Sequence, residues 1–226
     1  MTVPGITPGR ARRESRRARQ ARGLEILLRL AREYRQVRLA LDFQTPLQLL
    51  VATVLAAQST DEKINQVTPP LFARYPRTED LAQADLGDLE VMVHATGFFR
   101  NKARAVKGLA TALVAEHGGE VPASLEALVA LPGVGRKTAN VVLGNAFGQN
   151  AGIAVDTHVQ RLAGRLFLSE ETDPEKIEVD LMALLPQEEW TRFALLLQDH
   201  GRKVCKARRP ECAVCVVADL CPSAEV

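Results

Sequence analysis

The chain has 226 residues, 46% of them hydrophobic and 25% charged, with a formal net charge of +2. That apolar content is enough for one large or two small packed domains, so a real core is expected. The longest apolar stretch, "LLVATVL" at residues 49–55, is far too short to cross a bilayer, and no charged-then-apolar signal segment opens the chain; a cytoplasmic protein with no membrane partner is the expectation.

The charge is uneven. "RARRESRRARQAR" (residues 10–22) carries seven Arg and one Glu, a net +6, which leaves −4 on the remainder. With Pro4, Gly5, Pro8 and Gly9 ahead of it, the block has the composition of a solvated arm, and residues 1–22 are expected to be disordered. The same block suits phosphate tracking, because each neutralised phosphate releases counterions. Beyond it Ala and Leu recur at helical spacing, and no stretch alternates as a half-exposed strand would. The fold class is all-α.

"LEILLRLAREY" (residues 24–34) is amphipathic, and Thr45 followed by Pro46 is an N-cap with a first-turn proline that opens "LQLLVATVLAAQ". Ser59 with Glu62 offers a capping box for the next helix, which Pro69 and Pro70 are expected to interrupt. Further helices are predicted near 86–96, 101–116, 124–131, 136–147, 157–168, 174–185 and 187–200, about ten in all, with the short connections of an orthogonal bundle. "GQNAGIA" (residues 148–154), the most Gly-rich and polar joint, is the best internal boundary.

Within this series, "LPGVGRKTANVV" (residues 131–142) stands out. Leu125, Leu128 and Val129 give one helix an apolar face, Gly133 and Gly135 permit a tight turn, and a second apolar helix follows. The backbone N–H groups of Gly133 to Arg136 then sit at a helix N-terminus, an anion site that a DNA phosphate would fill while neutralising Arg136. An ordinary αα-hairpin with packing glycines accounts for the same residues. Lys137 resists that reading, since a cation in the first turn opposes the helix dipole, whose field favours the neutral amine that a nucleophile requires. In "IAVDTHVQRLAGRL" (residues 153–166), Asp156 stands at a helix start. It is an N-cap there, and an ionised cap beside a reacting lysine is placed to take its proton or to stabilise a developing cation.

All four cysteines fall in the last 22 residues: Cys205, Cys212, Cys215 and Cys221, spaced C-x6-C-x2-C-x5-C. Disulfides are disfavoured in a cytosolic chain, which leaves metal binding as the better account. Structural zinc sites usually pair their ligands in two short knuckles, and only one pair here is CxxC. The spacings of six and five suit a [4Fe-4S] cube held by four thiolates, with zinc and unligated thiols as the alternatives. The tail has too few large apolar residues for its own core, so bound metal would supply its folding energy. Lys206, Arg208 and Arg209 lie between the first two cysteines, on a loop that serves either as phosphate contacts or as a solvated surface.

Taken in order, "LPGVGRKTANVV", "AVDTH" and the four-cysteine tail resemble the endonuclease III family of DNA glycosylases in the helix-hairpin-helix superfamily. The resemblance runs from about residue 24 to 222 and includes "AAQSTD", "TGFFRNKA" and "HGRKVC"; the Arg-rich arm lies outside it. It implies a two-lobed α-fold: a six-helix domain over residues 40–149 ending in the helix-hairpin-helix (about 124–147), and an iron-sulfur domain from residues 23–39 and 150–226 that carries a C-terminal [4Fe-4S] cluster loop. It also implies a monomeric, nucleoid-associated glycosylase and lyase acting on double-stranded DNA with damaged pyrimidines or abasic sites. By the same carry-over Lys137 attacks C1′ of the flipped nucleotide, expels the base and forms a Schiff base, β-elimination follows, and Asp156 activates Lys137 or stabilises oxocarbenium-like charge.

Gln58 matches the family residue that fills the hole left by the flipped base, although a polar helix-end residue would look the same. Phe98 falls where relatives commonly carry a smaller aliphatic wedge, and Gly97 with Phe98 also reads as a helix C-cap with its hydrophobic contact. "GQNAGIA" departs from the family pattern by about a residue. A monofunctional relative that works through water needs no lysine, so Lys137 speaks against that branch; Lys137 and Asp156 together disfavour a purely DNA-binding module, and one cluster on a 200-residue helical body makes a poor electron carrier.

Overall fold

Side-chain caps and prolines set most helix starts, so the chain breaks into many short helices. The computed structural model describes residues 6–225, which contain helices and connecting segments and no strand. In chain order these are α1 (Pro8–Arg12), α2 (Arg16–Glu33), α3 (Pro46–Leu55), α4 (Asp61–Arg74), α5 (Thr78–Gln83), α6 (Leu86–Met92), α7 (Phe99–His117), α8 (Leu125–Ala130), α9 (Arg136–Ala146), α10 (Thr157–Arg165), α11 (Pro174–Leu184) and α12 (Trp190–Lys203). Single 3-10 turns lie at His94–Thr96, Gln187–Glu189, Cys212–Val214 and Ala218–Leu220. The chain divides into two units, Leu39–Ala151 and the described parts of Met1–Arg38 with Gly152–Val226.

In the contiguous unit, α3 starts as its sequence dictates: the Thr45 side chain accepts from the Gln48 N–H, and Pro46 takes the first helical position. Leu49, Leu50, Val51, Ala52 and Leu55 of α3 are all fully buried. It packs on α4, α7 and α9, while α5 and α6 lie along α7. Seven α-helices stand where six were expected. The extra one is α5, whose only buried residues are Thr78 and Leu81; six residues are too few to show a 3.6-residue period.

Two local expectations in this unit need correction. The cap of α4 is Thr60, which accepts from the Lys63 N–H, in place of Ser59 with Glu62. The prolines Pro69 and Pro70 lie inside α4 and do not interrupt it. A helix-interior proline costs about 3 kcal/mol, but Ile64, Val67, Leu71 and Phe72 are buried on both sides of the pair, each worth roughly 1.5–3 kcal/mol. Burial outweighs the lost donors.

In the discontinuous unit, α2 packs on α11 and α12, and α10 packs on the same two helices. Ile26, Leu27 and Leu30 of α2 share one core with Val159, Leu162, Ile177, Leu181, Phe193 and Leu197. The expected disordered arm is a further correction. Pro4 and Gly5 lie outside the described residues, but Pro8 onward is helical: Thr7 caps α1, Ser15 caps α2, and Ala11 is fully buried. The anchor is Arg22, whose side chain is 6% exposed beside an 11% exposed Glu14. Its guanidinium meets Glu14 Oε2 at 2.7 Å and donates to the carbonyls of Leu166 (2.5 Å), Phe167 (3.2 Å) and Leu220 (3.3 Å). A composition argument cannot register carbonyl partners 144 to 198 residues away.

Candidate functional site

The hairpin begins at Ser124, whose Oγ accepts from the Ala127 N–H at 3.3 Å, and α8 buries Leu128. Leu131 and Val134 then point inward at 3% and 6% exposure while Pro132, Gly133 and Gly135 stay exposed. Gly133 has φ +76°, and a Cβ there would meet only Ala105 Cβ at 3.7 Å. Backbone conformation, not space, requires the glycine. Gly135 is the N-cap of α9, so no side chain caps the helix, and no acid lies in its first turn. The start of α9 therefore lacks a capping side chain, and half-buried Arg136 and exposed Lys137 stand in its first turn; a helix start of this kind suits an anion.

Two further residues of the same unit hold left-handed backbone without being glycine. Gln58 has φ 53° just beyond the end of α3 and is exposed. Phe98 has φ 48° at the N-cap of α7 and is 66% exposed. Each such conformation costs on the order of 1–3 kcal/mol. The loop carrying Phe98 is pinned from beneath by Lys102, which the sequence reading missed. Its buried Nζ donates to the Thr96 carbonyl at 2.7 Å, and burial pushes its pKa down.

In the other unit, Asp156 is the N-cap of α10, and its Oδ1 accepts from the N–H of His158 at 2.9 Å and of Val159 at 2.8 Å. One turn later α10 turns to the cysteine loop. Arg161 Nη2 donates to the carbonyls of Gly201 (3.0 Å) and Cys205 (3.1 Å), and Arg165 donates to those of Lys206 (2.8 Å) and Ala207 (2.7 Å). Gly201 is required by closeness, since a Cβ there would lie 2.8 Å from His158 Nδ1 and 2.9 Å from Arg161 Nη2. Neither arginine was found from sequence; their targets are backbone carbonyls, which leave no mark in composition.

Cys205, Cys212, Cys215 and Cys221 ring a small cavity that is otherwise lined by Leu162, Leu166, Val204 and Val217 among others. Among the described residues no three His, Cys, Asp or Glu side chains converge on a point that would hold one metal ion. Four cysteine sulfurs around a shared cavity are the donor set that holds a [4Fe-4S] cube. Burial pushes the Cys221 thiol up to about 11 and raises Cys215 as well, so bound iron is what favours their thiolates. His200 Nε2 lies 3.4 Å from Cys215 Sγ, and its Nδ1 lies 2.9 Å from the Tyr34 hydroxyl. Burial pushes His200 down to about 4 and Tyr34 up to about 12. Burial thus favours the neutral ring, and a thiolate at Cys215 would accept from Nε2, leaving Nδ1 to accept from the Tyr34 hydroxyl. Of the loop cations, Lys206 is paired with Glu211, while Arg208 and Arg209 are exposed.

Residues 51–187 match the family model described as HhH-GPD superfamily base excision DNA repair protein, and residues 205–221 match the iron-sulfur binding domain of endonuclease III. The chain belongs to the endonuclease III family. It is 53% identical over 208 residues to endonuclease III of Synechocystis sp., covering 92% of this chain and 95% of that one. Endonuclease III of Escherichia coli K12 is 37% identical over 202 residues, covering 89% and 95% respectively. A solved structure of a trapped endonuclease III–DNA covalent intermediate superposes with a TM-score of 0.86 at 38% identity, covering 91% of this chain and 96% of that chain. As an endonuclease III family member, the protein is a bifunctional DNA glycosylase and AP lyase of base excision repair with a [4Fe-4S] cluster. No helix among the described residues is long and apolar enough to cross a membrane.

Proposed function

We propose that this enzyme excises oxidised pyrimidines from duplex DNA, with Lys137 as the nucleophile for both glycosylase and lyase steps. The observation that carries the reading is Lys137 itself: an exposed amine in the first turn of α9, two residues after a glycine cap that has no side chain to bond the helix start. The lysine amine attacks C1′ of the flipped nucleotide, and the base leaves with the electrons of the glycosidic bond. The nitrogen gives up one proton, and its lone pair then opens the sugar ring as O4′ takes a proton; the protonated Schiff base that results makes C1′ an electron sink. Loss of a C2′ proton then breaks the C3′–O bond, and water releases the lysine. Asp156 takes a proton from Lys137 or stabilises positive charge at C1′. Lys137 is exposed, and the DNA that covers it excludes water from the reacting amine.

The remaining roles divide between extrusion and grip. Gln58 fills the space left by the flipped base, and the exposed Phe98 ring wedges into the stack, which favours damaged pairs because they unstack at lower cost. Gly133, Gly135 and Arg136 hold a backbone phosphate at the start of α9. Lys206, Arg208 and Arg209 contact phosphates from the loop closed by Cys205, Cys212, Cys215 and Cys221. Those four cysteines ligate the [4Fe-4S] cluster, which when bound supplies the folding energy of this loop. The enzyme works as a nucleoid-associated monomer.

Incubation with abasic-site duplex and borohydride tests the assignment. The wild-type chain is expected to form a reduced covalent adduct, and Lys137→Ala to form none. Equal trapping by Lys137→Ala would make the assigned nucleophile wrong.

A further inference from the structure

The arginines of α1 and α2 are not equivalent. Glu14, the one acid between residues 10 and 22, is consumed inside the unit by Arg22. Arg12 pairs with Glu170 at 3.1 Å and lies over the Phe167 ring. Of the other five, Arg19 is half-buried, which leaves Arg10, Arg13, Arg16 and Arg17 exposed, with no carboxylate partner among the described residues. Arg16 and Arg17 occupy the first turn of α2, which holds no acid, so the partial positive charge of the helix end adds to their own.

We propose that these four arginines form a second DNA-backbone grip, binding phosphates of the duplex that flanks the damaged site. The inference rests on the DNA-repair activity described above, and it adds a contact surface to it. Three observations support a polyanion as the occupant. The segment is built in place: Ala11 is fully buried, the Ile6 N–H donates to the Asp219 carbonyl at 3.2 Å, and Arg22 ties the α1–α2 turn to Leu166, Phe167 and Leu220. A docked ridge gives up less conformational entropy on binding than a flexible arm would. Its cations are all arginine, whose planar fork takes a phosphate through two parallel hydrogen bonds. Finally, residues 10–22 carry +6 on a chain whose remainder is −4. The four exposed arginines thus concentrate positive charge on one short segment, and such fields speed association with a polyanion.

The test is a salt titration of affinity for a long undamaged duplex, comparing wild type with Arg10→Gln/Arg13→Gln/Arg16→Gln/Arg17→Gln. Each lost phosphate contact lowers the log–log salt slope by about 0.9, so the variant is expected to lose about 3 to 4. Four Arg→Lys changes at the same positions are expected to keep most of the slope. Visible absorption of the cluster reports folding, and the separate pairs Arg10→Gln/Arg13→Gln and Arg16→Gln/Arg17→Gln, each expected to lose about 2, decide the matter if the quadruple variant fails to fold. A slope change of less than about one in the folded variants would overturn the proposal. So would an unchanged slope with lost retention on immobilised polyglutamate, which would assign the ridge to an acidic protein surface. Borohydride trapping by the quadruple variant at saturating enzyme should equal wild type; because the titration uses undamaged DNA, failure of Lys137 as nucleophile would leave this result readable.

Discussion

Arg22→Met is the most direct test of how the N-terminal residues are held. Met has nearly the reach of Arg but none of its donors. The change leaves the Glu14 carboxylate, 11% exposed, with no cation, and it removes the donor to the carbonyls of Leu166, Phe167 and Leu220. Breaking a buried ion pair from one side costs about 3–5 kcal/mol, because the surviving charge stays desolvated. For a chain of this size that is a drop in melting midpoint of roughly 6–20 °C. Pairing the change with Glu14→Gln removes the orphaned charge, so the double variant should recover about 1–3 kcal/mol relative to the single one. Urea unfolding followed by circular dichroism, with cluster absorption recorded in parallel, measures both values. If Arg22→Met shifts stability by less than about 1 kcal/mol, the guanidinium is not buried among these partners in solution and the arm is mobile, as its composition alone suggests.

Two other substitutions separate roles that the structure superimposes. Asp156→Asn keeps an oxygen for the N–H groups of His158 and Val159, so its stability should stay within about 0.5 kcal/mol of wild type, whereas Asp156→Ala should lose about 0.5–2 kcal/mol with the cap. Turnover on abasic DNA should fall in both, by about 10²–10⁴-fold; undiminished turnover in the Asn variant would leave Asp156 as a cap alone. Phe98→Gly relieves the left-handed backbone at φ 48° and removes a ring that is 66% exposed. Thermal stability should rise by about 1 kcal/mol while affinity for lesion-bearing duplex drops, and a clear loss of stability would show that the ring packs against the protein instead of waiting for DNA.

What the sequence disclosed follows from the range of the interactions involved. Thr45 before Pro46, Asp156 before "THV" and Gly135 before "RKT" are local signals, and each lies at an observed helix start. The cysteine spacing is local too, and by itself it favours a cluster over zinc. Misreadings arose where a distant partner decides the outcome. The Arg-rich arm is ordered by carbonyls far along the chain, and Pro69 and Pro70 are carried inside α4 by burial of flanking residues. The contacts behind the cysteine loop escape a sequence reading for the same reason, since Arg161 and Arg165 reach carbonyls 44 and 41 residues further on and Tyr34 meets His200 166 residues away. The strained backbone at Gln58 and Phe98 is a conformational property that residue type does not encode.

The unit that carries the cysteines is assembled from the two flanks of a contiguous one, and this orders events on the ribosome. The apolar face of α2, Ile26, Leu27 and Leu30, is translated early, yet the helices it packs against, α11 and α12, emerge only after all of residues 39–151. The middle of the chain can complete its own core during synthesis, domain by domain. Meanwhile α2 presents an uncovered hydrophobic stripe to the nascent-chain chaperones. Iron and sulfide must therefore be delivered after translation has passed Cys221, to a polypeptide whose central body is already folded. Closing the cysteine loop is thus the last step in building the enzyme, because its ligands and the helices that brace it are the last parts of the chain to be made.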